Sequence, residues 1–270
     1  MATIAVLSQK GGTGKTTAVR TLTDVFRRVG LGVLAVDLDP QGNLSDYLDV
    51  DPEVAPTIGD VLAGRAKPSE AVHDGVIPAN LGLAEAELVL GGKMGRELSL
   101  KRALREVTGG YDLVLVDCPP SLGLLTVNAL VAADYALLSA EAQYFALQGV
   151  EQALEVIDLA RESLNADLQW IGVVLNIADM RTRHSREAFD SLREHFGEKL
   201  FETTIRASIA YAESAERAVS IVDYRPDLGV DYLNVAEELL RRIGREDAGR
   251  RVAKLIGDSR ALAPAHEGGA

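Results

Sequence analysis

The residues best suited to chemistry stand in one run near the start of the chain, Ser8–Thr17, with the sequence SQKGGTGKTT. Gly11, Gly12 and Gly14 let the backbone turn tightly and bring its N–H groups close to an anion. A helix that starts near Lys15 adds its positive dipole end and its free N–H groups. Lys15 can reach the β- and γ-phosphates of a nucleotide, and the Thr16 hydroxyl can bind Mg²⁺. Thr13 and Thr17 complete the cradle. The standard pattern G-x-x-x-x-G-K-[ST] would place glycine at position 9, where this chain has Gln9. It carries instead a second lysine, Lys10, inside the loop.

Phosphoryl transfer also needs a metal ligand and a group that positions water. Asp117 follows the apolar run Leu113–Val116, and Pro119-Pro120 stops that run. It is the candidate Mg²⁺ ligand, with Thr16. Asp37 and Asp39 close another short apolar run, Val33–Val36, in Asp37-Leu38-Asp39-Pro40-Gln41-Gly42-Asn43. Alternation puts both aspartates on one face, so spacing alone does not choose between them.

These residues need a frame, and the hydrophobic pattern supplies one. Apolar runs at Ile4–Leu7, Val33–Val36, Leu113–Val116, Tyr135–Leu138 and Trp170–Leu175 read as buried strands. Thr16–Val29, Leu98–Val107, Leu122–Val131, Phe145–Leu164, Ser185–Phe196, Ala207–Val219 and Asp231–Ile243 read as helices. Shorter pieces are a helix at Asn43–Leu48, a helical turn at Ile58–Leu62, and strands at Val76-Ile77, Leu81–Ala84 and Leu200–Ile205. Strands alternating with helices predict an α/β fold, a mostly parallel sheet flanked by helices. No repeat or linker divides the chain, so one domain is expected over 1–258, with a disordered tail over 259–270.

Composition narrows the class. The chain has 270 residues, 47% hydrophobic and 25% charged, as an ordinary globular protein does. One cysteine, Cys118, excludes an internal disulfide framework and a paired-cysteine metal cluster. It reads as a small buried apolar residue. No apolar run approaches the roughly 20 residues that span a bilayer, and the chain enters a strand at once, so a cytoplasmic location is expected. The net charge of −12 argues against a surface coated in nucleic acid but leaves room for local basic patches. Arginines cluster at 181–186 and at 241–251.

The loop K-G-G-x-G-K-T-T resembles the deviant Walker A loop of the ParA/MinD family of ATPases, a SIMIBI-type P-loop NTPase fold. The likeness extends over roughly residues 2–243. YDLVLVDCPPSLGLLTVNAL at 111–130 resembles the family's Walker B block, and LLSAEAQYFALQGV at 137–150 a further block. The segment 172–215 is similar to the stretch between the late strand and the penultimate helices. With no helix-turn-helix extension, the chain is most similar to the compact chromosomal, Soj-like members.

The resemblance assigns roles that spacing does not. It makes Asp39 the residue associated with the attacking water, near the metal, and leaves Asp37 structural or metal-proximal. It makes Lys10 a charge that reaches across a dimer to the partner's phosphates, like an arginine finger. Gly11 then permits close approach at the dimer face, and Asn176 resembles the residue contacting adenine. The implied activity is a slow, Mg²⁺-dependent ATPase that forms an ATP-state homodimer and binds DNA non-specifically, becoming nucleoid-associated. A ParB-type centromere-binding protein discharges it to segregate a chromosome or plasmid. The alternatives are a MinD-like membrane-surface ATPase and a positioning protein for a non-DNA cargo.

One segment departs from the family. Many members carry I-P-R-N-V-R-L-S-E-A-P where this chain has Ile205-Arg206-Ala207-Ser208-Ile209-Ala210-Tyr211-Ala212-Glu213-Ser214-Ala215. The second arginine, implicated in DNA contact, falls on Ala210. Arg183, Arg186, Arg206, Arg217 or the C-terminal arginines are the replacements, acting through phosphate contacts.

Overall fold

The apolar runs become six strands: β1 (Ala2–Leu7), β2 (Val33–Asp37), β3 (Val76–Ile77), β4 (Leu113–Asp117), β5 (Tyr135–Glu141) and β6 (Gln169–Asn176). They form one sheet in the order β3-β2-β4-β1-β5-β6, and every pair is parallel. The computed structural model describes residues 1–262.

A parallel sheet needs both faces covered, and twelve helices among the described residues do this. In chain order they are α1 (Lys15–Arg28), α2 (Asn43–Tyr47), α3 (Ile58–Ala63), α4 (Gly82–Gly91), α5 (Ser99–Val107), α6 (Leu124–Ala132), α7 (Ala146–Ser163), α8 (Arg183–Phe196), α9 (Ala210–Glu216), α10 (Ile221–Tyr224), α11 (Pro226–Arg242) and α12 (Glu246–Leu262). Alternation along the strands splits the core in two. Ala5 and Leu7 of β1 and Val114 and Val116 of β4 face a cluster with Leu83, Leu104, Leu125, Val150 and Ile157. Ile4 and Val6, with Leu113 and Leu115, face a second cluster with Val19, Leu22, Phe26, Leu233 and Leu239.

Four elements differ from the sequence reading. Leu81–Ala84 is not a strand but the start of α4. Asn80 accepts the Gly82 N–H on Oδ1 and the Leu83 N–H on its carbonyl, which closes a helical turn. Leu83, Ala86 and Leu90 are then buried at helical spacing while Leu81 is 71% exposed.

Leu200–Ile205 touches the β6 edge only in places. The N–H groups of Phe201 and Ile205 donate to the carbonyls of Val173 and Leu175. Between them Thr203 makes no backbone bond to β6, which breaks the ladder, and the Glu202 N–H, on the side facing away from β6, donates to the Glu238 carboxylate. The helix expected over Ala207–Val219 is only α9; Ala218 takes a positive φ, and Ser220 caps the separate α10. Last, α12 follows α11, with Ala248 and Val252 buried against the second cluster. Its backbone stays helical through Leu262, within the expected tail, and the remainder of that tail lies outside the described residues.

Candidate functional site

All the chemistry-bearing segments leave the sheet at its carboxyl edge. This is where open parallel sheets bind ligands. The loop after β1 turns into α1 through Gly14, which caps the helix at φ 79° with no side chain on the cap. No acidic residue lies in the first turn, so the N-terminal N–H groups keep their positive potential for an anion. Gly12 also needs positive φ, at 78°. A Cβ on Gly14 would stand 3.3 Å from Asn176 Cγ, so that position is closed sterically as well. Gly11 differs: a Cβ there would meet Pro120 at an ordinary 3.8 Å.

The loop is braced from behind. The Ser139 hydroxyl of β5 donates to the Thr13 carbonyl at 2.7 Å, and Asn176 Nδ2 donates to that hydroxyl at 2.6 Å. Ser8 Oγ donates to the Lys10 carbonyl at 2.7 Å. Ser139 did not emerge from the sequence, although a lone hydroxyl inside the run Leu-Leu-Ser-Ala was the available sign.

Gly12, Gly14, Lys15, Thr16, Thr17 and Asn176 line one cleft of about 350 Å³. Tyr47, Arg206 and Tyr211 extend its wall. Lys10 and Thr13 line a different groove, together with Phe145 at the N-cap of α7 and Gly149 within that helix. Lys10 is exposed there, its ammonium 5.2 Å from the Phe145 ring centroid.

The three aspartates divide sharply. Asp37 is fully buried and structural in its contacts: Oδ2 accepts from the Ser45 N–H and hydroxyl, and Oδ1 from the Asp39 N–H. Burial pushes its carboxyl up to about 6, against the pull of those Ser45 bonds. Asp39 is 7% exposed, and its Oδ1 accepts from the Gln41 N–H. Asp117 is fully buried, and neither oxygen has a hydrogen-bond partner. Burial lifts it to about 7; the Lys15 charge and the nearby Thr16 hydroxyl, which falls short of hydrogen-bond geometry, pull the other way, and Asp37 and Asp39 add to the rise.

Two orphaned buried oxygens beside a lysine fit a cation held with substrate phosphates. Among the described residues no group of three or more His, Cys, Asp and Glu is placed to hold a metal ion by itself. That also fits Mg²⁺, which takes one or two carboxylates plus phosphates and waters rather than a protein cage. Cys118 is buried, and burial with the Asp117 charge raises its thiol far above the usual range, so it is inert.

The basic candidates do not gather at one place. Arg183 and Arg186 sit on the first turn of α8: Arg183 is 82% exposed and paired with Glu187, and Arg186 donates to the carbonyls of Met180 and Arg181. Arg206 is paired with Asp231 and donates to the Asp227 carbonyl. Arg217 caps α9 over the Tyr224 ring. Ala210 is 2% exposed and faces the core. Several C-terminal arginines hold the fold: Arg242 pairs with Glu238, Arg245 donates to the Asp112 carbonyl, and Arg251 to that of Val29.

A family described as an AAA domain (AAA_31) matches residues 1–170. The Sporulation initiation inhibitor protein Soj of Bacillus subtilis is 37% identical over 245 residues, 87% of this chain and 97% of that protein. The Chromosome partitioning protein ParA of Myxococcus xanthus is 34% identical over 259 residues, covering 93% and 92%. Among solved structures, Cobyrinic Acid a,c-diamide synthase from Mycobacterium smegmatis with bound ADP and magnesium superposes with a TM-score of 0.79. It is 34% identical, over 90% of this chain and 96% of that one.

Proposed function

The chain belongs to the Soj/ParA family of P-loop ATPases, and on that premise we propose an ATP-dependent dimerising ATPase that binds DNA without sequence preference and segregates a chromosome or plasmid with a ParB-type partner. The observation that carries this reading is the parting of the two loop lysines. Lys15 lines the phosphate cleft, whereas Lys10 lies exposed in a separate groove. A lysine in the loop but off its own cleft suits delivery to a second copy. Gly11 agrees, because nothing within the chain requires it to lack a side chain.

The reaction follows from these placements. Lys15 and the N-terminus of α1 bind the β- and γ-phosphates. Bound Mg²⁺ neutralises charge on those phosphates, and Thr16 and Asp117 would hold it with Asp39 nearby. Asp39, fixed through its bond from Gln41, orients a water toward the γ-phosphorus. The bond from water oxygen to phosphorus forms as the bridging bond to ADP breaks. Lys10 of a second copy stabilises the charge on the transferring group, so turnover depends on association.

DNA contact is assigned to Arg183, Arg186, Arg206 and Arg217, acting on phosphates. Arg183 and Arg206 would each exchange an ion pair, with Glu187 and Asp231, for a phosphate, and Ala210 offers nothing to solvent. In this reading the ATP form is nucleoid-associated. A membrane-surface role would need a free apolar face on the last helices. Among the described residues no helix is long and apolar enough to cross a membrane, and Leu233, Ala236, Leu239, Leu240, Ala248 and Val252 are all buried. The test is DNA binding by the Asp39→Ala protein, with and without ATP and Mg²⁺, at several salt concentrations. ATP-dependent, salt-sensitive, sequence-independent binding is expected. Absence of binding at low salt removes DNA as the matrix.

A further inference from the structure

The cleft wall contributed by β6 and the segments that follow it has its own unexplained chemistry. Asn176, Arg206 and Tyr211 line it. Two polar atoms of that wall are buried with no hydrogen-bond partner: Asn176 Oδ1 and the Tyr211 hydroxyl. Buried polar atoms in folded proteins nearly always have partners, so an orphaned pair on one cleft calls for a ligand that supplies them. The two atoms are of different kinds. The amide oxygen can only accept, while a phenol can donate. Burial and the Asp231 charge hold the Tyr211 phenol well above its usual value, against the pull of Arg206, so it keeps its proton.

The tyrosine is also held in place. Its ring stands edge-on to the buried Tyr232 at 5.8 Å and 82°. Ser214 Oγ donates to the Tyr211 carbonyl, and the Tyr224 hydroxyl donates to Glu213, tying α9 to α10. Charge separates the two walls of the cleft. Arg206 is matched by Asp231, which takes both its Nε–H and its backbone N–H. Arg206 is therefore less available to a phosphate than Lys15 and the α1 N-terminus.

We propose that Tyr211 is a nucleoside-binding residue whose hydroxyl donates a hydrogen bond to the base or sugar of the bound nucleotide from the α9 side of the cleft. The inference rests on the nucleotide reading above. It also gives a purpose to a tyrosine where the family pattern has leucine.

The test compares the parent protein with Tyr211→Phe by calorimetric titration of MgATP, of Mg-2′-deoxyATP and of Mg-tripolyphosphate. The variant should bind ATP roughly five- to tenfold more weakly, as for one lost ligand hydrogen bond. Tripolyphosphate binding should be unchanged. The nucleotide-free variant should melt no lower than the parent, because an orphaned hydroxyl has gone, while its ATP-induced rise in melting temperature shrinks. A loss seen with ATP but not with 2′-deoxyATP places the acceptor on the sugar; a loss seen with both places it on the base or the remaining sugar hydroxyl. Unchanged ATP affinity in the variant, or equal weakening of ATP and tripolyphosphate, overturns the proposal while leaving the ATPase reading intact. Failure of the parent to bind MgATP overturns both.

Discussion

Asp37 and Asp117 are register partners on the adjacent strands β2 and β4, two fully buried carboxylates side by side at the carboxyl edge of the sheet. Only Asp37 is satisfied by hydrogen bonds, and Asp117 stands with both oxygens unpaired. Burial raises both, to about 6 and about 7 from an ordinary 3.8. On these two carboxylates the folded chain therefore binds more protons than the unfolded one between about pH 4 and pH 7. The stability they contribute to the nucleotide-free protein should be greatest at the acid side of that window and be lost as pH rises through it, most plainly above pH 5, where the lowered carboxylates Asp60, Asp223 and Asp227 are already ionised in both states. Asp117→Asn should remove most of the slope and stabilise the protein near pH 7.5 by a few kcal/mol, because each tenfold difference in proton affinity between the folded and unfolded chain is worth about 1.4 kcal/mol. Urea midpoints of both proteins between pH 5 and 8 check this, and a parent whose stability rises with pH would contradict it.

Lys15→Ala should abolish measurable binding of MgATP. Lys15 is the one lysine on the cleft, only 5% exposed, and its charge opposes the rise of Asp117. Calorimetric titration is the measurement; affinity within a few-fold of the parent would remove this loop as the phosphate site.

Asp39→Ala and Lys10→Ala should separate two stages. The first should hold ATP as a dimer without hydrolysing it, since only the group orienting water is lost. The second should bind ATP as a monomer with turnover reduced by about 10³ or more, on the order of the loss of an arginine finger. Sedimentation of each variant with ATP, paired with phosphate release, distinguishes them. A Lys10→Ala protein that dimerises and turns over normally would leave that lysine no part in the chemistry.

Ser139→Ala should weaken both stability and nucleotide affinity without touching the nucleotide. Removing the hydroxyl leaves the Thr13 carbonyl and Asn176 Nδ2 unpaired in a buried place. The expected cost is about 1–3 kcal/mol in unfolding free energy. Thermal melts with and without ATP should show a lower midpoint and a smaller nucleotide-induced rise. Unaltered values in both would show that the brace does not hold the loop.

Much of the frame was legible because its signals are local. Four apolar residues ending in Asp117, a glycine loop, and Val19, Leu22, Val25 and Phe26 on one helical face each announce themselves within a few residues. What escaped depends on distant partners. Leu200–Ile205 has strand-forming residues, but its bonds to β6 skip from Phe201 to Ile205, and Glu238, 36 residues from Glu202, takes the outward Glu202 N–H. The helix α12 takes its burial from α11 and the end of α1 through Ala248, Val252 and the bond from Arg251 to Val29. Asp37 and Asp39 could not be separated by spacing, because the distinction lies in Ser45, which binds the first and leaves the second. Ser139 and Tyr211 matter through hydroxyls whose surroundings come together only in the folded chain.

The breaking of that last ladder has a consequence for behaviour in a crowd. A sheet with a bare edge is a template on which other chains can add strands and precipitate. Here one edge is β3, only two residues long and folded back on His73 by a tight bridge. The other, β6, is partly covered by the segment at 200–206, whose own outward growth is interrupted where Glu238 draws off Glu202. Neither margin offers a long run of open backbone. Copies that meet at high concentration are thereby kept from joining sheet to sheet.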